Sequence, residues 1–218
     1  MSPILKKWLA GLCFSALFLP AAAQISAGEK RNLDLRQDSL ASYADQIVNA
    51  PEAEQRFRAD SNFIRMLVRA LKLPNSFDYP FDSLLTISRL YAPDNSFRIF
   101  TWQVKKDEFI YIQRGAIQMR TTDGSLKLIG LHDVSMFTAR PLDSVRTASN
   151  WIGAIYYRII EKSFQGKNFY TLLGFDSYNI SSNKKWMEVL TFDNRGEPQF
   201  GGPYFLFKND SIGATLKR

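Results

Sequence analysis

The chemistry open to this chain is bounded first by what it lacks. It carries one histidine, His132, and one cysteine, Cys13. Ser-His-Asp and Cys-His catalysis both need a histidine held as base. His132 is followed directly by Asp133. Neighbours on an extended chain point to opposite faces, so the two read as a polar pair at a loop end rather than a dyad. No G-x-S-x-G stands in the chain,. A zinc site wants several Cys, His or acidic ligands, and one histidine is too few. Asp176-Ser177-Tyr178-Asn179 offers oxygens but lacks the spacing and the bidentate Glu of a calcium loop,. No phosphate-cradling glycine loop or dinucleotide fingerprint occurs, and Gly201-Gly202-Pro203 reads as a turn or bulge,. The residues therefore imply no metal and no cofactor.

Carboxylates are the catalytic class that this composition leaves open. A glycosidase needs two acids about 5–10 Å apart, one with a raised pKa. Glu161, Asp176, Glu188, Asp193 and Glu197 fall close together in the chain. Nothing in the spacing pairs any two, and Glu161 and Glu188 read more simply as polar strand positions. Binding suits the aromatic content better. Trp151, Tyr156, Tyr157, Tyr170, Tyr178 and Trp186 are concentrated in one region. Exposed Trp and Tyr stack on sugars or fill partner pockets. Trp151 and Trp186 are expected in the core. Tyr178 is expected in solvent, on a ten-residue loop from Asp176 to Lys185 with Asn179, Asn183, Lys184 and Lys185 as candidate binding residues,.

The elements that must position these residues follow an order. Met1 to Ala23 has the form of a secretory signal peptide: Lys6 and Lys7, an apolar run from Trp8 to Leu19, Pro20, then three alanines,. The run is too short for a stable bilayer span. Cleavage is expected before Gln24. Cys13 lacks the setting of a lipidation site and leaves with the leader, so the mature chain has no thiol chemistry. No later run is long and apolar enough to cross a membrane, and the expected location is the periplasm or the cell exterior. Removing Lys6 and Lys7 lowers the net charge of +7 to 7 − 2 = +5. That surplus permits an anionic partner but specifies no nucleic acid.

Residues 24–33 are polar and read as a flexible segment. Residues 34–74 read as helical. Asp38 is placed to cap a first helix carrying Leu40, Tyr43, Ala44 and Ile47 on one stripe,. Pro51 can open a second helix that reaches about Leu73. Phe57, Ile64, Leu67, Val68 and Leu71 share its apolar side; Arg58, Arg65, Arg69 and Lys72 form a basic side, with Asp60 also polar,. The basic side either meets an anionic partner or is the wet face of a helix packed on a sheet, and the second is the simpler reading.

Residues 75–218 read as an antiparallel β domain. Strand alternation starts at Leu84, and Phe97–Val104 and Phe109–Gln113 form a hairpin,. Ala116–Thr122 and Leu126–Leu131 flank Asp123-Gly124, and Leu131–Ser149 is a long connection,. Trp151–Phe192 is the densest apolar and aromatic material and is expected to supply core strands in a meander. A strand over Pro198–Phe207 follows. The few residues after Gly213 make a short last element, which either frays or continues in a longer protein. The fold class is α+β: two N-terminal helices on a mainly antiparallel meander, as a twisted sheet or partial barrel.

N-S-F-R-I-F-T-W (95–102), G-K-N-F-Y-T-L-L-G-F-D (166–176) and N-K-K-W-M-E-V-L-T-F-D (183–193) resemble exported proteins of Bacteroidota-type bacteria that carry no assigned function. The resemblance covers about residues 77–207 and implies a signal peptide, a helical N-terminal part and a β-rich body. It brings no catalytic residue with it. Asp-Ser-aliphatic triplets at Asp38, Asp82, Asp143 and Asp210 resemble the O-glycosylation acceptor of exported proteins in the same group. Asp-Ser is equally good capping and turn chemistry. The expected function is non-catalytic binding of a glycan or a cell-envelope protein; the alternative is a carboxylate-dependent hydrolase acting on envelope or extracellular polysaccharide. Intact-mass measurement of the exported protein is expected to give a chain beginning at Gln24, with added mass for each occupied acceptor. A chain retaining residues 1–23 would contradict the leader.

Overall fold

A computed structural model describes residues 25–138, 144–179 and 182–205, with only the backbone at Tyr178, Asn179 and Ser182. The segment expected to be a leader, residues 206–218 with the Asp210 triplet, and part of the Asp143 triplet lie outside the described residues. The architecture is three layers: a helix pair, a four-stranded sheet, and a five-stranded sheet that do not close into a barrel. This is the expected α+β class, in its open rather than its barrel form.

Helix α1 (Ala27–Asn49) starts earlier than expected. Ser26 is its N-cap: Ser26 Oγ accepts from Glu29 N at 3.2 Å, and Ser26 N donates to the Glu29 carboxylate at 2.8 Å. This reciprocal box satisfies two of the first-turn donors. Most of the segment expected to be flexible is thus helical, and Asp38 lies inside the helix instead of capping it. Leu33 is fully buried and anchors the added turns. Pro51 separates α1 from α2 (Ala53–Leu71), whose cap is Glu52 rather than Pro51.

The buried side of α2 differs from the apolar stripe read from the sequence. Ala59, Phe63, Leu67, Ala70 and Leu71 are buried, whereas Ile64 is exposed. Two charged residues join the buried side. Asp60 accepts from Trp102 Nε1 at 2.7 Å and from Arg114 Nε at 3.0 Å. Arg56 donates to the carbonyls of Ala50, Pro51 and Lys105. A periodicity count scores both as polar, because it does not see the sheet groups that meet them.

The first sheet runs β1 (Ser88–Tyr91), β2 (Phe97–Lys105), β3 (Tyr111–Met119) and β4 (Lys127–His132), all antiparallel. Residues 84–87 are turns, so the strand expected from Leu84 begins only at Ser88. The two short runs expected over 109–122 are one strand, β3. Strand β2 is buried on both sides. Its Phe100, Trp102 and Val104 meet the helices; Phe97 and Ile99 meet the second sheet. Each such fully buried side chain contributes about 1.5–3 kcal/mol. This strand, not the meander, is the most buried in the chain.

The second sheet has the order β5 (Arg146–Thr147), β9 (Pro198–Phe200), β8 (Ser182–Phe192), β7 (Lys167–Asn179), β6 (Ile155–Phe164). The meander is as expected in sense, but β6 is exposed over most of its length. Strand β9 stops at Phe200, short of the expected span.

Between α2 and β1 the chain wraps around Arg98. This guanidinium is fully buried and makes no ion pair among the described residues. It donates to the Ser76 carbonyl at 2.8 Å, the Tyr79 carbonyl at 2.5 Å, the Tyr91 hydroxyl at 2.8 Å and Gln118 Oε1 at 2.8 Å. Phe77, Phe81, Tyr91 and Phe100 surround it, ring centroids 4.8–5.6 Å away. Burial pulls its pKa down to about 10, so it stays charged at neutral pH. Replacing Arg98 by Ala strands several buried acceptors, each costing about 1–3 kcal/mol. Urea unfolding of Arg98→Ala is therefore expected to show a loss of at least about 3 kcal/mol; a loss under about 1 kcal/mol would contradict this role.

Candidate functional site

The long loop expected from Asp176 to Lys185 is instead the outer part of a hairpin. Asp176 pairs with Lys184 and Phe175 with Lys185, and the register shifts before Asn179 meets Ser182. Strand alternation then divides the candidate residues. Lys184 shares the inward face with Asp176; Lys185 lies outward with Phe175. Asn183 is exposed. The side chains of Tyr178 and Asn179 lie outside the described part of the structure. The sequence grouped these residues by proximity along the chain, but an antiparallel hairpin sends alternate ones to opposite sides.

Inward, the end of the inter-sheet layer is polar. Gln113 Nε2 donates to Asp176 Oδ1 at 2.6 Å, Gln103 Nε2 donates to Ser177 Oγ at 3.0 Å, and Asp133 accepts from the backbone of Gln113 and Ser135. Gly153 is required here: a Cβ would fall 2.0 Å from Gln113 Cβ. Burial, opposed by the Gln113 hydrogen bond and the Lys184 charge, raises the Asp176 pKa, and the Asp133 charge adds to the rise. Deeper in, Glu188 receives Arg146 Nη2 on one oxygen at 2.6 Å and the Tyr156 hydroxyl on the other, and Trp151 Nε1 donates to Tyr156 at 2.8 Å. Burial raises Glu188, and burial with the Glu188 charge beside it pushes Tyr156 far up.

Of the other acids, Asp193 closes a turn by accepting from Arg195 N and Glu197 N. Glu197 is exposed and Glu161 half-buried. His132 is exposed, whereas Asp133 turns inward to backbone donors, so the two side chains part as the alternation required. Trp151 is fully buried as expected, and Trp186 is partly buried. On α2, Arg58, Arg65, Arg69 and Lys72 are all exposed. Arg58 pairs with Glu54 at 2.7 Å and Arg65 bonds Asn62 at 2.6 Å, which are ordinary surface contacts one helical turn apart,.

The outward face of the second sheet is what the sequence reading missed. Register places Arg158, Ile160, Lys162 and Phe164 of β6 outward, with Lys167, Phe169, Leu173 and Phe175 of β7 and Lys185 and Met187 of β8. A bulge at Tyr157 sets the phase of β6,. The paired outward positions on these strands include four cations and no acid. Arg158, Lys162, Lys167 and Lys185 are exposed, and among the described residues none has an ion-pair partner. Lys185 Nζ stands 5.3 Å from the ring centroids of both Tyr157 and Phe175. The acids of this sheet, Glu161, Asp176 and Glu188, all lie inward. The signal was present as period-two charge segregation, but it is unreadable until the bulge fixes the register.

No family model, no curated protein and no solved structure matches this chain.

The raised Asp176 pKa has a stability consequence with a definite sign. Its native pKa lies above the unfolded one, so its contribution is fullest below the unfolded carboxylate value and is lost as pH rises through the native value. Asp176→Asn keeps an oxygen for Gln113 and removes the titration. Its stability relative to the parent is expected to improve as pH rises from about 4 toward 7, read by urea unfolding at a series of pH values. A difference that stays flat with pH would show that Asp176 is not the group that titrates.

Proposed function

We propose that this chain is an exported, non-catalytic protein that holds an acidic glycan against the outward face of its second sheet. The observation that carries the reading is the charge segregation: four exposed cations, without ion-pair partners among the described residues, on a face whose described paired positions on β6, β7 and β8 hold no acid. Single exposed ion pairs contribute little, but several cations on a rigid sheet act together on a polyanion.

The same geometry favours a glycan chain over other anionic partners. Along β6 the cations alternate with Ile160 and Phe164. Sinking these apolar tips into a bilayer would drag the interleaved charges out of water. Bases of single-stranded nucleic acid need bare ring faces, whereas Lys185 stands over both Tyr157 and Phe175. Carboxylate or sulfate groups on a sugar chain need only the cations and leave that arrangement intact. The hydrolase alternative is weakened by Glu188, whose two oxygens are both engaged by Arg146 and Tyr156.

Retention on immobilised heparin is expected at about 50 mM salt, with a loss of affinity of at least about tenfold by about 200 mM. A neutral dextran column should not retain the protein. Lys167→Gln with Lys185→Gln should weaken heparin binding about three- to tenfold and leave unfolding midpoints unchanged, these being exposed positions. Equal behaviour on heparin and dextran, or an unaffected double variant, would overturn the reading.

A further inference from the structure

Among the described residues, strand β6 is the last strand of its sheet, paired only with β7. It is ten residues long and contains neither proline nor glycine. At its start the backbone is engaged, since Tyr156 N donates to Thr101 Oγ1 and the Tyr156 carbonyl accepts from Ser88 Oγ. From Arg158 to Phe164 the described backbone hydrogen bonds are those to β7 alone, and Arg158, Ile160, Lys162, Ser163 and Phe164 are exposed. The other sheet ends are less suited: β5 has two residues, β1 has four, and β4 has six with Gly130 among them. Long free edges are templates for another strand, and folded proteins ordinarily shorten or cover them.

The side chains on β6 decide which strand fits. Opposed residues in an antiparallel pair lie on the same face. In a symmetric pair of β6 strands centred on Ile160, Arg158 of one copy would therefore stand opposite Lys162 of the other, twice over. Like charges opposed in this way repel, so the edge is poorly matched to a second copy of itself. It is matched to a strand with acids opposite Arg158 and Lys162 and an apolar residue between them opposite Ile160.

We infer that the β6 edge is an acceptor for an extended peptide strand of the pattern acid–x–apolar–x–acid, added antiparallel to extend the second sheet. Main-chain hydrogen bonds supply the attachment and the alternate side chains supply the choice. This does not rest on the glycan reading: it shares Arg158 and Lys162 with that face, but attachment is through the backbone along the edge.

The test uses a synthetic peptide, acetyl-Thr-Glu-Thr-Ile-Thr-Glu-Thr-amide, and amide hydrogen exchange in β6 of the full chain. Saturating peptide is expected to slow about tenfold those amides between 157 and 164 that do not already face β7. The same peptide with Lys in place of Glu, or with alternate amides N-methylated, should give no protection. The double variant Arg158→Glu, Lys162→Glu should exchange its preference to the Lys peptide, with an unchanged circular dichroism spectrum as the control for folding. Unchanged exchange with the Glu peptide would overturn the inference. So would protection by the N-methylated peptide, which would mean a contact on the face. Protection that appears without peptide and rises with protein concentration would mean self-pairing, and would overturn it equally.

Discussion

A guanidinium in the interior ties the end of the helix pair to the first sheet of this protein. Arg98 sits at full burial without an ion pair among the described residues, and neutral acceptors and four aromatic rings take the place of water around it. A buried charge of this kind is costly unless every donor is met. That requirement fixes the chain between α2 and β1, because two of the acceptors are backbone carbonyls, at Ser76 and Tyr79. It also fixes β3, because Gln118 accepts from Arg98 and donates to Ser76 Oγ. Ser76 in turn donates to the Leu71 carbonyl at the end of α2. One cation thus links a helix end, a loop and three strands.

The second sheet sorts polar groups by parity. Two of its inward acids, Asp176 and Glu188, are met by Gln113 and by Arg146 with Tyr156, so they serve the packing between sheets. Its four outward cations are exposed and have no ion-pair partner among the described residues. The bulge at Tyr157 is the switch point: with regular alternation through Tyr157, Arg158 would share a face with Tyr156, which is buried against the first sheet,. A one-residue slip in a strand exchanges its two faces, so a local irregularity sets the electrostatic character of a whole surface.

Much of the fold was legible in residue order. Turn chemistry at Asp123-Gly124, Gln165-Gly166 and Asp193-Gly196 marked where strands reverse, and three of these glycines have positive φ. The candidate site was far less legible. Tyr178, Asn179, Asn183, Lys184 and Lys185 were grouped as a loop because they are adjacent and polar, but cross-strand pairing continues through them to Asn179 and Ser182. Asp60 read only as a polar position of α2 because its partners, Trp102 of β2 and Arg114 of β3, are far away in the chain. Glu188 and Tyr156 carried no mutual signal over their separation of thirty-two residues.

The sequence by itself determined the local matters: α+β class, antiparallel reversal at turns, a supply of one histidine and one cysteine, and the one-sided charge available to each strand. These depend on residue type, on periodicities of two and 3.6, and on backbone freedom at glycine and proline, all of which act within a few residues. Only the tertiary structure decided which strand is buried on both sides, which acids are engaged and which cations stand free. Those outcomes depend on partners distant in the chain and on a bulge that sets register, and neither leaves a local trace.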